Sequence, residues 1–477
     1  QTTERNIMTS TSDDLPIEVG AAPDDASDKL DFKKILPIFV IVLIDLMGLT
    51  IIIPLLSLYA AAFGVTAFTV GMLGATYPLA QFIGAPILGR LSDRYGRKPI
   101  LLVSQVGTLV GFLLLGVAGS IIVLFISRLI DGLSGGNIAT AQAVITDNTN
   151  EKTRTQGLGL IGAAFGLGFV IGPVIAFLSL QASGNNYSAP AFVAAGFSLI
   201  SILLTWFWLE ESHPVEKRGR ARQQSSVLSL RGLLDAVKHP TVGFLLILIF
   251  AQQVAFGGFE QLLSLFTLTS LGPGASGNSI IFVYVGVIVV AVQGYFIGKW
   301  ARRFGDRRLI LAGLATLTIG LTMMAFTPAV PPPFYSQASL QAELSGERTL
   351  PGETPPTQGV AAEIPDDSNT GWSGLIWLLA AMFPIAVGGG MLQPSINSLI
   401  TKRVASDEQG GILGVSTAFL SGANFIAPLI GGALFAAIGP RAPFVFWGLL
   451  MGLLLLLAFR SIAPAGAAQP ASAPSGS

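Results

Sequence analysis

The sequence predicts an all-α membrane protein: twelve transmembrane helices arranged as two pseudo-symmetric six-helix bundles. Three observations predict it. Of the 477 residues 51% are hydrophobic and only 11% charged, with a mean hydropathy of +0.68, whereas a soluble chain of this length carries about 25% charged residues. Twelve apolar stretches each approach the ~20 residues that a helix needs to cross about 30 Å of hydrocarbon. A glycine- and charge-bearing motif also recurs, one copy in each half.

The spans fall near 36–63, 69–91, 100–118, 121–147, 155–180, 190–209, 242–270, 276–300, 308–327, 373–401, 410–437 and 442–459. The first lies behind an acidic tail and has no small-residue cleavage site after it, so it is expected to stay as a helix rather than be removed as a signal peptide. The resulting plan is a tail (1–35), a first bundle (36–209), a linker (210–241), a second bundle (242–460) and a Pro/Ala/Ser tail (461–477). Both tails are expected to be disordered, because they hold too little apolar surface to offset the entropy of ordering.

Orientation follows from lysine and arginine. Alternate loops on one side of the predicted membrane carry 24 of the 27 basic residues; the other side has Arg348 and Arg441, and Arg128 lies inside a span. Positive charge stays on the cytoplasmic side, so both termini and the linker are expected there, in a bacterial plasma membrane. The segment 328–371 is then a long outer loop between spans 9 and 10. Its six carboxylates (Glu343, Glu347, Glu353, Glu363, Asp366, Asp367) could gather cationic cargo, but it is expected to be a dispensable spacer, since closure cost grows only as the logarithm of length.

The halves echo each other. Gly89-Arg-Leu-Ser-Asp-Arg-Tyr-Gly-Arg-Lys98 returns 209 residues on as Gly298-Lys-Trp-Ala-Arg-Arg-Phe-Gly-Asp-Arg307, and Gly159, Gly168, Gly172 and Pro173 return 255 residues on as Gly414, Ala423, Ala427 and Pro428. The offset grows by 46, about the length of the loop between the second copies. Such a parallel repeat implies two bundles built to one plan.

Several classes are excluded. Twenty-seven basic and 27 acidic residues leave no net charge for a nucleic-acid binder. No cysteine and two histidines leave no disulfide framework and no Cys/His metal cluster, and no cofactor is expected. No Gly-x4-Gly-Lys-Ser/Thr is present for ATP, and no catalytic constellation argues for an enzyme. His213, beside Glu210 and Glu211, reads as a solvated loop residue.

Four ionisable residues fall inside the spans away from their ends: Asp45, Arg128, Asp131 and Glu260. Each costs at least about 2.5 kcal/mol in lipid when unpaired, so an intramembrane charge is a functional candidate by default. Asp45 lies near mid-depth in span 1 and can take a proton when the cavity dries around it. Arg128 and Asp131 are three apart on span 4 and share a helix face. They read either as a self-satisfied ion pair or as a coupling device in which Arg128 is released when Asp131 or Asp45 is protonated. Glu260, late in span 7, reads as a further coupling candidate or as a residue at the water boundary. Amides at Gln81, Asn137, Gln142, Gln252, Gln253, Gln293, Gln393, Asn397 and Asn424 describe a largely uncharged cavity suited to neutral or amphipathic cargo.

The chain resembles the major facilitator superfamily, and within it the twelve-helix drug:proton antiporters that include bacterial tetracycline efflux pumps. The residues that carry the resemblance are Gly89–Pro99, which matches the loop 2–3 signature; Asp45-Leu-Met-Gly-Leu-Thr-Ile-Ile-Ile-Pro54 in span 1; and Gly159, Gly168, Gly172 and Pro173, which follow the span 5 pattern Gly-x8-Gly-x3-Gly-Pro. The closing Gly-Gly of that last pattern is here Ala176-Phe177. The resemblance implies proton-driven export of a small organic solute by alternating access, from a monomer whose partners are substrate, protons and lipid. It also implies a cytoplasmic gate of Gly89, Asp93, Arg94, Gly96, Arg97 and Asp147: Asp93 would face the N-terminus of span 11 near Gly410 and Gly411, and Arg97 would pair with Asp147. The span 5 glycines would pack across the seam between bundles and seal the outer side. A proton-coupled uptake symporter for a sugar or carboxylate shares the fold and signature, and a passive channel or scaffold is the reading from another class.

Overall fold

The computed structural model describes residues 31–149, 153–213, 237–238, 242–345, 364–404 and 409–462. The expected disordered tails and almost all of the linker lie outside the described residues. The first half comprises α1 (Phe32–Ala61), α2 (Ala67–Tyr95), α3 (Arg97–Gly116), α4 (Ile121–Ser134), α5 (Asn137–Asp147), α6 (Arg154–Ser183) and α7 (Ser188–Phe207). The second comprises α8 (Gly243–Leu271), α9 (Ala275–Ala291), α10 (Ile297–Phe304), α11 (Asp306–Ala325), α12 (Gln337–Ser345), α13 (Ser373–Thr401), α14 (Gln409–Ile438) and α15 (Ala442–Ser461). No strand occurs among the described residues.

Eleven spans, several of them single helices, are long and apolar enough to cross a membrane; Ile121–Asp147 and Ala275–Phe304 each count as one. The helix outside that set, α2, has 29 residues and so reaches about 43 Å. Its average falls because Arg90, Asp93 and Arg94 crowd one end and Thr69, Thr76 and Gln81 interrupt its body. Side chains such as Val103, Phe207, Leu449 and Phe459 point outward, where a soluble protein would place polar groups and a membrane protein meets lipid.

Local chemistry explains the helix starts and stops. Asp31 caps α1 by accepting from Lys33 N, Thr66 caps α2 by accepting from Thr69 N, and Ser120 caps α4. The repeated motif folds the same way twice: Gly96 (φ 108°) turns α2 into α3, and Gly305 (φ 78°) turns α10 into α11. Both sit in the left-handed region that favours glycine. Two spans predicted as continuous are interrupted. Span 4 breaks at Gly135–Gly136, where added side chains would strike Gln81 and Leu88 of α2, and Ser104 Oγ donates to the Ser134 carbonyl freed by the break. Span 8 carries a π-helical turn at Val292–Phe296, which includes Gln293.

The halves meet through α2 against α14, α6 against α9 and α1 against α8. The end that carries the Gly96 and Gly305 turns is called the basic end here, and the opposite one the distal end. At the distal end the seam is tight. Gly71 lies against Pro428 and Gly432, Gly286 against Phe169, Ser57 Oγ donates to the Gln261 carbonyl (2.8 Å), and Ser264 Oγ donates to the Pro54 carbonyl (2.8 Å). At the basic end Gly89 faces open space and the Asp93 side chain is 55% exposed. Among the described residues the molecule is therefore closed distally and parted at the basic end.

The segment 328–371 is not the featureless loop expected from its composition. Residues 337–345 form α12, which buries Leu340 and Leu344. The two arms are tied by Gly371 N donating to the Pro331 carbonyl (2.7 Å) and by Tyr335 Oη donating to the Pro365 carbonyl (2.7 Å). Leucines at i and i+4 on one helical face supplied the apolar anchor, which the surrounding Pro, Glu and Asp had masked.

Candidate functional site

The break in span 4 builds the centre of the first half. Asn137, the first residue after it, donates from its side-chain amide to Asp45 Oδ2 of α1 and accepts at Oδ1 from Ile138 N (2.8 Å). Asp45 is 8% exposed, and its Oδ1 is buried with no hydrogen-bond partner. One turn before the break, Arg128 and Asp131 are each 2% exposed and form an ion pair at 3.1 Å. The guanidinium carbon also sits 5.6 Å from the centre of the Phe112 ring, within cation–π reach, while Nη2 lacks a partner. Asp45 and Asp131 line one small cleft, together with Tyr77, Thr108, Phe112 and Asn137.

The arithmetic of this cluster is two carboxyls and one guanidinium. Arg128 is committed to Asp131, which leaves Asp45 with an amide on one oxygen and nothing on the other. A buried ionised carboxylate has about four acceptor sites to fill; a protonated one needs fewer and gains a donor. The cluster thus has room for one proton, in a place where water is nearly excluded.

Glu260 stands apart on α8 and is half-buried. The structure does not bring it to the Asp45 cluster. Of the amides, Gln81 bridges α2 to the break by donating to the Gly135 carbonyl (3.0 Å) and to Tyr77 Oη (3.2 Å). In the second half, Gln253 Nε2 donates to Asn424 Oδ1 (2.7 Å), joining α8 to α14, and Ser416 Oγ donates to Asn397 Oδ1 (3.2 Å). Gln252 is buried with its Oε1 unpaired, Gln293 and Gln393 are half-buried, and Gln142 is exposed. Tyr77, Thr108 and Phe112 were missed in the sequence, where the only signal was a lone threonine or aromatic in an apolar span.

At the basic end Arg97 is the hub. Its Nε donates to Asp147 Oδ2 (3.0 Å), and its Nη1 donates to Ser92 Oγ (2.8 Å) and to Asp93 Oδ1 (2.5 Å). Asp93 therefore pairs within its own half, and the surroundings of Gly410 and Gly411 at the start of α14 lie outside the described residues. Arg94 lies over the Tyr95 ring. Glu211 accepts from Arg97 N (2.9 Å) and Lys98 N (3.2 Å), capping α3 from outside the helix. His213 is not solvated as expected, since it packs 4.0 Å from Asp147.

The second half carries the same brace with its charges exchanged. The residue 209 beyond Arg97 is Asp306, and the residue 255 beyond Asp147 is Lys402. Lys402 Nζ donates to Asp306 Oδ2 (2.5 Å), and Ser398 Oγ adds a bond to the same oxygen (3.1 Å). Each brace ties the start of one span to the end of the next. Arg97→Asp alone should destabilise the protein by about 1–3 kcal/mol, by placing carboxylates together and stripping Asp147 of its donor. Adding Asp147→Lys recreates the Asp306–Lys402 chemistry and should restore most of the melting temperature in detergent.

Gly168 and Gly172 of span 5 do not pack where the sequence pattern placed them. A side chain at Gly172 would strike Thr50, one at Gly168 would meet Leu46, and Thr50 Oγ1 donates to the Gly168 carbonyl (2.8 Å), so these residues press α6 on α1 inside the first half. The seam with α9 is formed instead by Phe169 and Val170 against Gly286. Pro173 follows on the same helix, and Gly159 lies in its first turns, where side-chain surroundings are outside the described residues.

Two multi-helix halves, closed at one end over a buried carboxyl–guanidinium cluster, have the architecture of a multi-pass membrane protein. The family model of the Major Facilitator Superfamily matches residues 38–340 and 368–476, and the chain belongs to that superfamily, whose members are secondary transporters. It is similar to the tetracycline resistance protein of class B from Escherichia coli, at 26% identity over 82% of this chain and 86% of that protein. It is also similar to multidrug resistance protein 2 of Bacillus subtilis (strain 168), at 25% identity over 87% and 92%. Among solved structures, the human organic anion transporter MFSD10 shares the fold, with a TM-score of 0.60 at 20% identity, covering 89% of this chain and 99% of that one.

Proposed function

We propose that the chain exports a small neutral or amphipathic organic solute in exchange for protons by alternating access. The single observation that carries the coupling is the Asp45–Asn137–Arg128–Asp131 cluster, with one carboxyl oxygen buried and unpaired beside an ion pair. The direction is supported by the relatives named for tetracycline and multidrug resistance. With the basic end assigned to the cytoplasm by the positive-inside rule, the parted end faces inward and the distal seam closes the outside. A solute from the cytoplasm or inner leaflet then enters between the halves, and proton uptake from outside resets the empty carrier. Glu260 and the Gln253–Asn424 pair are proposed to face that solute from the second half.

Everted vesicles test this reading. Addition of a lipophilic substrate to vesicles energised by respiration should release protons from the lumen, seen as recovery of a quenched acridine dye, and collapse of the gradient should stop substrate accumulation. Substrate accumulation in intact cells that falls when the gradient is collapsed would instead establish uptake symport.

A further inference from the structure

The distal seam is held by more than close packing. Residues 183–188, the turn that joins α6 to α7 in the first half, contain Asn185, whose φ of 65° is left-handed, and the buried Tyr187. Facing that turn from the second half are the first residues of α9 and the inserted helix α12. Glu343 of α12 gathers all three. Its Oε1 accepts from Ala275 N (2.8 Å), which begins α9, and from Tyr187 Oη (3.0 Å), and its Oε2 accepts from Asn185 Nδ2 (3.3 Å). The same turn is pinned again by Ser276 Oγ donating to Asn185 Oδ1 (2.6 Å) and by Gln181 Nε2 donating to Ser276 Oγ (3.2 Å).

Each of these partners matters to the charge. Ala275 N is an orphan donor of a helix N-terminus, where the dipole favours an anion. Bonds to an ionised carboxylate are roughly twice as strong as neutral ones. Two of the three Glu343 bonds cross between halves, so they exist only while the distal ends are together. The carboxylate is not free to wander, because Leu340 and Leu344 anchor its helix and the Tyr335 and Gly371 bonds tie the arms of the insertion. Residues 341–367 also lie outside the stretches matched by the family model, so this contact belongs to the insertion and not to the shared scaffold.

We propose that Glu343 is the latch of the distal gate: it favours the conformation closed at the distal end by clamping Asn185 and Tyr187 of the first half to the N-terminus of α9. The insertion is then a positioning element of the transport cycle and not a spacer. The consequence for transport rests on alternating access as proposed above, but the conformational test does not need a substrate.

The chain has no cysteine, so Ala182→Cys and Ala437→Cys, exposed positions near the distal ends of α6 and α14, accept a pair of spin labels without background. Electron–electron distance measurements in lipid nanodiscs should give one dominant population for the parent. Glu343→Ala should shift the closed-to-open ratio on the order of tenfold, seen as a longer second population. Glu343→Gln keeps an acceptor without the charge and should fall between, and it decides the matter if the alanine variant fails to insert. Tyr187→Phe should have a smaller effect in the Glu343→Ala background than in the parent, since both delete one clamp. Distance distributions that are the same in parent and Glu343 variants, or fully additive effects of Tyr187 and Glu343, overturn the latch. Either direction of transport leaves this readout unchanged, so failure of the export reading is distinguishable from failure of the latch.

Discussion

Asp45→Asn should abolish proton-driven transport while the protein still folds and inserts. The amide keeps the volume of the carboxyl and can still meet Asn137 after a flip of either group, so packing in the cleft survives. What is lost is a site that can hold a proton in one conformation and release it in the other. Asp45 suits that task because Arg128 is already spent on Asp131, and the free Oδ1 has no other hydrogen to accept. The measurement is counterflow against gradient-driven transport in the same proteoliposomes. Exchange of labelled for unlabelled substrate without a gradient should persist in the variant, because substrate exchange needs the gates but no net proton movement. Transport driven by an imposed pH gradient should fall to background. Retained uphill transport would remove Asp45 from coupling and shift attention to Glu260, the half-buried carboxyl of α8.

How far the site can be read in the sequence depends on whether a feature is local. The spans follow from length and apolarity alone, and the Gly96 and Gly305 turns follow from glycine at equal places in a repeat. Arg97 and Asp147 are 50 residues apart, yet their meeting was suggested by a signature that covers one of them and by the place where the next span ends. The break at Gly135–Gly136 was not read, because two glycines in an apolar span are as compatible with close packing as with a bend, and only the bulk of Leu88 and Gln81 across the way decides it. The span 5 pattern gives the spacing of small residues but not the neighbour they face. Here that neighbour is Thr50 in the same half. The charge-exchanged brace was hidden for a different reason: identity at the two positions is lost while complementarity is kept, and a comparison of halves residue by residue scores Arg97 against Asp306 as a mismatch. Glu343 was classed with five other carboxylates of a polar loop, since nothing in a sequence says which of six meets a helix N-terminus.

The ion pair in α4 is the place where structure and coupling can be separated. Arg128→Gln should leave Asp131 as an unpaired buried carboxylate, a loss of about 3–5 kcal/mol when one partner of a buried pair is removed, and much of the protein should be lost from the membrane. Asp131→Asn should be milder, since the guanidinium keeps the Phe112 face and can turn toward Asp45. The double variant Arg128→Gln with Asp131→Asn carries no net change in charge and replaces two ions by hydrogen-bonding groups of similar size, so its thermal stability should return close to that of the parent. If the pair is only a strut, transport returns with it. On the coupling reading it does not, because Asp45 then has no nearby cation whose release or capture can report its protonation to the rest of span 4. The expected result is a double variant that melts like the parent, retains substrate exchange and shows no gradient-driven transport. Recovery of uphill transport in that variant would reduce Arg128 and Asp131 to structural parts and leave Asp45 to act alone.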